Sequence, residues 1–464
     1  MELKTHDQLR HAVAGLTSGN QEALDRLVWT GVFGAPELRE AARAAVFDQA
    51  RSAGVYPASI HELYLARGRG QAPSDFTVPA INIRGMAYDT ARALFRARRA
   101  LDAGTVICEI ARSEIAYTDQ RPAEYTFVML AAALREGWRG PVFLQGDHFQ
   151  VNAKKYAADP QGELKAVRDL TAEAIHAGFY NIDVDTSTLV DLAMSGHEAQ
   201  QALNGGLCAE LTAFIRTREP RGVTVSVGGE IGEVGGKNST PEELGAFMTV
   251  YLAALGRLAP GAAGISKISI QTGTSHGGVP LPDGSIAQVK IDFDALGRCS
   301  ALARERYGLG GAVQHGASTL PAQLFDRFPA LGACEIHLAT EFQNMIYEHP
   351  LFPAELKREI YQRLRTAAAD ERKPTDTDEQ FFYKTRKKAL GLFKRELWAL
   401  PAATRAGISR ALEDKFTFLL TQLAVGGTRA MTEELVPFVP GSFPVLGAAV
   451  GAGRGHEDVT GLSD

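Results

Sequence analysis

VFLQGDH (142–148), an apolar run that ends in Gly, Asp and His, is one of eight short stretches that decide the fold. The others are VPAINIRG (78–85), TVICEIARS (105–113), NIDVDTS (181–187), VTVSVGGEIG (223–232), ISKISIQTG (265–273), GAVQHGA (311–317) and ACEIHLAT (333–340). All are rich in Val and Ile. Between them lie segments with helical periodicity, such as DTARALFRARRALDA, ELKAVRDLTAEAIHAG and TPEELGAFMTVYLAALG. Strands that alternate with helices predict a parallel sheet, and near-continuous apolar strands predict burial on both faces. Eight units over roughly 265 residues match a closed (β/α)8 TIM barrel in the α/β class. An open doubly wound sheet is the alternative, but no G-x-G-x-x-G fingerprint follows the first strand.

Outside this stretch the strands stop. The first 75 residues read as helical, with three-to-four spacing in HDQLRHAVAGL and APELREAARAAVFDQA, and RGRGQAPSD ends that section. After Thr340, PAELKREIYQRLRTAAA, FFYKTRKKALGLFKRELWAL and AGISRALEDKFTFLLTQLAVGG read as amphipathic helices, with the charged ADERKPTDTDEQ between the first two. The expected division is a helical segment 1–75, a catalytic barrel 76–345, a helical extension 346–435 and a mobile Gly/Pro-rich tail 436–464. Appended helices of this kind often mediate self-association, so a homo-oligomer, dimer or tetramer, is expected.

Composition narrows the function. The 464 residues carry 49 Lys and Arg against 54 Asp and Glu, a formal charge of −5, which gives no long-range field for nucleic acid. No apolar run approaches the roughly 20 residues of a membrane helix, and MELKTHDQLR lacks a signal-peptide core, so a cytoplasmic protein is expected. Cys108, Cys208, Cys299 and Cys334 are too scattered for a thiolate metal site and suit a reducing compartment as core fillers.

In a barrel the C-terminal strand ends converge on one mouth and carry the chemistry. There this sequence places Gln145-Gly146-Asp147-His148, Asp183-Val184-Asp185, Gly229-Glu230, Gly273-Thr274-Ser275-His276 and Gln314-His315-Gly316. His148, His276 and His315, on three strands, form a candidate set for a divalent metal, since three imidazoles suit zinc and leave a position open. A structural role is the alternative for each. Asp147 is a candidate acid/base, or else a loop cap. Asp185 and Glu230 would orient histidines, bind a second cation, or satisfy local backbone groups. Glycine, 47 residues in all, clusters in GGEIGEVGG, TGTSHGG and HGAS at the same end. Glycine lets backbone N–H groups approach an anion, and loops seven and eight are a frequent phosphate site in this architecture, although tight turns alone would explain the clusters. A sugar or a sugar phosphate is the expected substrate class.

These residues together resemble the class II, metal-dependent ketose-bisphosphate aldolases, the fructose- and tagatose-bisphosphate enzymes. The similarity runs from Val78 to about Asn344 through VPAIN, PVFLQGDH, GFYNIDVDTS, VSVGGEIGEVGG, TGTSHGG and VQHGAS, in matching order. The resemblance implies that His148, His276 and His315 hold a catalytic Zn2+, with Glu230 and Asp185 near a second or resting metal position that takes a divalent or monovalent cation. It implies Asp147 as the proton donor and acceptor, Asn82 at the substrate, and Gly277, Gly316, Ser318 and Thr340 around one phosphate. The activity implied is reversible, zinc-dependent aldol cleavage of a phosphorylated ketose through an enediolate, in glycolysis or related carbohydrate metabolism. A metal-dependent sugar-phosphate epimerase or isomerase on the same scaffold is an alternative. So is a non-catalytic barrel that partners an aldolase, since QGDHFQVN and the helical C-terminus resemble the tagatose-aldolase accessory subunits.

Two departures from the family stand out. Its loop after the fifth strand continues into acidic residues, one of them the second acid/base, where this chain has Lys237-Asn238-Ser239 and lacks that acidic group unless Glu233 or a residue elsewhere replaces it. Its eighth strand carries a lysine, an asparagine and a Thr-Asp pair, where this chain has Glu335, His337 and Thr340-Glu341. A carboxylate in place of a lysine repels a phosphate, which bears on the second phosphate of a bisphosphate. Lys267 is the one strand lysine that would suit a Schiff-base mechanism, and the histidine set argues against it.

Overall fold

Short runs of β-branched and apolar residues cannot bury themselves as lone helices, and here each becomes a fully buried strand. The computed structural model describes residues 2–232, 237–274, 291–318, 320–444, 459 and 461–462. Among them are nine strands: β1 (Val55–Ala58), β2 (Val78–Asn82), β3 (Ile107–Ala111), β4 (Gly140–Gln150), β5 (Asn181–Asp185), β6 (Ser226–Glu230), β7 (Lys267–Ile270), β8 (Ala312–Gln314) and β9 (Glu335–Leu338). Strands β2 to β9 pair in parallel with their sequence neighbours, and β9 returns to β2 with Val78 opposite Glu335 and Ile81 opposite Leu338. The sheet is therefore a closed (β/α)8 barrel, and the open-sheet alternative is excluded. Helices fill the connections, as in Thr240 capping Pro241–Leu258 through a reciprocal pair with Glu243. No helix among the described residues is long and apolar enough to cross a membrane. All four cysteines are free and buried.

The helical expectation for the first 75 residues holds for His6–Thr17, Gln21–Phe33, Pro36–Ser52 and His61–Gly68, but β1 lies among them. Strand β4 is eleven residues long. Its first half pairs with β1, Val55 opposite Gly140 and Ala58 opposite Phe143, and its second half pairs with β5. Asn181 stitches the junction: its Nδ2 donates to the carbonyls of Ala58 at 3.1 Å and Leu144 at 2.9 Å, and its Oδ1 accepts from Ile60 N at 2.9 Å. A four-residue strand containing Pro57 has no periodicity of its own; its stability comes from an edge supplied by distant residues.

The C-terminal helix Ala402–Gln422 packs on the barrel helix Ala87–Ala100. It buries Leu412, Phe416, Leu419 and Leu420, with the Phe416 ring 4.8 Å from that of Phe342, and adds the ion pair Arg96–Glu413 at 2.6 Å. The tail expected to be mobile from 436 is anchored at its start. Val436 is buried, the Phe443 ring meets Phe47 edge-on at 5.8 Å, and the Tyr56 and Tyr180 hydroxyls donate to the carbonyls of Val436 and Ser442. Apolar side chains among the prolines and glycines supply burial that the composition of the segment does not suggest.

Candidate active site

The pivot of the mouth is an irregularity in β4. Gly146 lies opposite Ile182 and Phe149 opposite Val184, so β4 carries one residue more than β5 over the same span. Such a bulge re-aims side chains. His148 takes φ +39°, the left-handed region, which costs a non-glycine residue about 1 to 3 kcal/mol. Gly146 permits the bend, because a Cβ there would fall 2.4 Å from the Phe149 ring. The consequence is chemical. On a regular strand Asp147 and His148 would point to opposite faces, whereas here both serve the mouth, Asp147 toward β2 and β9 and His148 toward β5 and β6.

Asp147 is 2% exposed. Its Oδ2 accepts from Asn82 Nδ2 at 2.9 Å and its Oδ1 faces His337 Nδ1 at 3.2 Å. Burial acts to raise its pKa, but the imidazoles of His148 and His337 outweigh that and hold it well below the usual carboxylate range. It is a carboxylate at neutral pH, the state a general base requires. Asn82 also donates to Glu114 at 3.0 Å, and its Oδ1 has no hydrogen-bond partner among the described residues.

His148 turns Nδ1 to Asp185 Oδ2 at 3.0 Å, with Glu230 Oε2 at 3.4 Å. Asp185 is itself fixed by Gln150 at 2.5 Å and by the backbone N–H and hydroxyl of Ser187 at 3.0 and 2.7 Å. A carboxylate on one ring nitrogen is the arrangement that orients a metal-ligating histidine. The His315 ring lies 4.3 Å from that of His148 and 4.0 Å from that of His337, so three imidazoles stand in a row. His315 Nε2 also meets Ser269 Oγ at 3.0 Å.

Donor atoms of His148, Glu230 and His315 lie within 4.8 Å of one another; so do those of Asp147, His315 and His337, and those of Glu109, Asp147, Asp183 and His337. An ion holding ligands at about 2.1 Å separates neighbouring donors by roughly 3 to 4 Å, so these groups have the right scale. Charge points the same way. Glu109, Glu114, Asp147, Asp183, Asp185, Glu230 and Glu335 are all buried here, against the permanent cations Lys267 and Arg84. Burial, then Asp185, pushes Glu230 well above the ordinary glutamate range, and burial lifts Glu109 to about 8 although His337 opposes it. The donor set and the surplus of carboxylates fit a divalent cation.

The loops expected to meet a phosphate are partly described. Gly316 takes φ +69°, Ser318 Oγ accepts from Ala339 N at 2.7 Å, and Thr340 opens the helix Thr340–Tyr347. The loops after β8 and β9 thus meet beside a helix N-terminus. His276 and Gly277, like Glu233, lie outside the described residues. Asp185 is brought to the site as the partner of His148, not as a member of the compact donor groups.

Glu335 and His337 form the floor of the mouth. His337 Nε2 meets Glu335 Oε1 at 2.7 Å, and Glu335 also pairs with Lys267. Burial disfavours charge on His337, yet Glu109 and Asp147 raise its pKa well above the usual value. Lys267 is fully buried, bound to Asp183 at 2.8 Å, to Gln145 at 2.8 Å and to Glu335; burial disfavours its charge, but those carboxylates raise its pKa, so it is no Schiff-base nucleophile. Gly228 makes room for this cluster, since a Cβ would fall 2.3 Å from Asp183 Oδ1. Glu109, Glu114, Arg84 and Tyr64 also belong to this network, and no motif in the sequence marks them. A lone charge inside the apolar strand ICEIA was the available signal for Glu109.

Among solved structures, the chain resembles the fructuronate-tagaturonate epimerase UxaE from Cohnella laeviribosi, at 12% identity over 83% of this chain and 86% of that one, with a TM-score of 0.55. It also resembles a probable tagatose 6 phosphate kinase from Sinorhizobium meliloti 1021, at 17% identity over 77% and 93%, with a TM-score of 0.53. The fructose-bisphosphate aldolase of Campylobacter jejuni aligns at 16% identity over 80% and 96%, with a TM-score of 0.46. These identities speak to fold alone. No curated protein matches the chain in sequence. The family model described as fructose-bisphosphate aldolase class-II matches residues 71–396, a span that takes in every strand of the closed barrel. The chain belongs to the class II fructose-bisphosphate aldolase family.

Proposed function

We propose that this protein carries out reversible aldol cleavage of a phosphorylated ketose. The observation that supports the reading is the β4 bulge, which points a carboxylate held by Asn82 and His337 and an imidazole held by Asp185 into one mouth. In cleavage, Asp147 takes the proton of the substrate's β-hydroxyl; that carbon becomes an aldehyde carbonyl, and the bonding pair passes to the α carbon and ketone oxygen as an enediolate. His148 and His315, with His276 and Glu230, would hold a zinc ion that stabilises the enediolate as a Lewis acid. Gly316, Ser318, Thr340 and Gly277 would receive one phosphate. Asn82 Oδ1 would accept from a substrate hydroxyl. A homo-oligomer in the cytoplasm accords with this reading.

A second reading is epimerisation by cleavage and re-addition, and one observation favours it. Lys237 pairs with Glu243 at 3.1 Å, Asn238 donates to Asp292 at 3.3 Å, and Ser239 accepts from Gln271 N at 2.9 Å, so the segment where the family places its second acid/base is spent on helix and loop contacts. Epimerisation needs no second acid, because the aldehyde rotates, the enediolate attacks its other face, and Asp147 returns the proton it took. Purified protein with its metal quantified, assayed on ketose mono- and bisphosphates and on keto-uronates before and after chelation, tests both readings. Triose or other cleavage products support the first and a carbon-conserving epimer the second. Turnover that survives complete metal removal would sink both.

A further inference from the structure

Tyr64 lies in the helix His61–Gly68, below the barrel, yet its hydroxyl enters the interior and donates to Glu335 Oε2. Both residues are fully buried. The other oxygen of Glu335 accepts from His337 Nε2 at 2.7 Å, from Gln145 Nε2 at 2.8 Å and from Lys267. His337 then turns Nδ1 to Asp147 Oδ1 at 3.2 Å. A continuous path of hydrogen bonds thus runs from the N-terminal segment through β9 to the carboxylate at the mouth. The ring is closely seated: a Cβ at Gly310 would fall 3.0 Å from both Cβ and Cγ of Tyr64 and 2.7 Å from Cys334 Sγ. Glu335 is held at one oxygen by Tyr64 and at the other by His337, Gln145 and Lys267, and His337 is held at Nε2 by Glu335 and at Nδ1 by Asp147, with Glu109 3.1 Å from the same Nδ1 and Asp183 3.6 Å from Nε2. Orientation set at Tyr64 is therefore passed along the path.

We propose that Tyr64 is a positioning residue, which fixes the aim of Asp147 through Glu335 and His337 and makes the N-terminal segment part of the catalytic apparatus. The inference rests on the reading of Asp147 as the acid/base. It makes the two departures on β9 parts of one device, since Glu335 receives the tyrosine and His337 delivers its hold to Asp147. A merely structural tyrosine would influence stability, whereas a positioning one influences the chemical step at unchanged substrate binding.

The test uses the full chain as Tyr64→Phe, His337→Asn, the double variant and Asp147→Asn, with kcat, KM, bound metal and thermal midpoint measured for each. Tyr64→Phe should lower kcat about tenfold with KM within about twofold and metal content unchanged, and the double variant should be no slower than His337→Asn alone. Wild-type kcat in Tyr64→Phe, or losses that multiply in the double variant, would overturn the proposal. So would loss of metal from His337→Asn, which would make that residue a ligand instead. Should Tyr64→Phe not fold, Glu335→Gln combined with His337→Asn applies the same non-additivity criterion. An inactive Asp147→Asn beside a fully active Tyr64→Phe removes this inference and leaves the acid/base reading standing; an active Asp147→Asn removes both.

Discussion

Two buried histidines at opposite ends of this barrel are pushed in opposite directions. His61, below the sheet and 3% exposed, is lowered to about 4 by burial and by the nearby Arg216 and Arg69. His148, at the mouth and 2% exposed, also pays for burial, but Asp147, Glu230 and Asp185 reverse the sign and raise it to about 10. Burial is the same at both, so neighbours decide. The floor keeps its imidazole uncharged beside Arg216 and Arg69 and is closed by β1 and Asn181, while the mouth concentrates carboxylates that call for a cation. Stability is the business of one end and chemistry of the other, as expected for this architecture.

The comparison breaks hardest at Asp147. Asp147→Asn removes the leading charge that lifts His148 together with the proposed base, and turnover should fall by about 10² to 10⁴ while fold and bound metal persist. Steady-state kinetics beside circular dichroism and metal analysis would check it; undiminished kcat would return Asp147 to a capping role. Next in size, His315→Ala should strip most of the metal, because both of the compact groups that hold two imidazoles contain it. Equilibrium dialysis against zinc reads that loss, and wild-type stoichiometry would remove His315 from the ligand set. Asp185→Asn is milder. It leaves the ligands in place but slackens the His148 ring, and metal affinity should weaken about 10- to 100-fold. A chelator competition that finds no change would mean that Glu230, 3.4 Å from the same ring nitrogen, suffices to hold the ring.

The sequence displays much of this and conceals the rest for physical reasons. Asp147-His148 is legible because an acid and an imidazole at the end of an apolar strand are out of keeping with a core. That both reach the mouth is not legible, since the bulge is set by the mismatch between β4 and β5 and not by either strand alone. Glu335 and His337 are visible in the sequence as departures from a pattern, yet their meaning depends on Tyr64 and Lys267, whose partners are 271 and 68 residues away. β1 escapes for the same reason: VYPA carries no pattern, and only the first half of β4 gives it hydrogen-bond partners. What periodicity reveals is local alternation; what it hides are contacts between residues distant in the chain.

The floor offers the smallest effect and the sharpest control. His61 Nδ1 is buried with no hydrogen-bond partner among the described residues, so little in the folded protein compensates a proton there. Its folded pKa of about 4 lies below the ordinary 6.5. Between those values the unfolded chain binds a proton that the folded chain refuses, so stability is held above pH 6.5 and lost as pH falls toward 4. For a shift of this size the loss between pH 7 and pH 5 is about 2 kcal/mol. His61→Leu removes the titration and an uncompensated nitrogen together. Urea unfolding of metal-free wild type and variant at pH 7 and pH 5 should therefore give curves whose separation narrows or reverses on acidification in favour of the variant. Because the mouth titrates identically in both proteins, the difference isolates the floor. A separation independent of pH would mean that His61 is protonated without cost, and the contrast between the two histidines would then lie in their partners' positions and not in their charge.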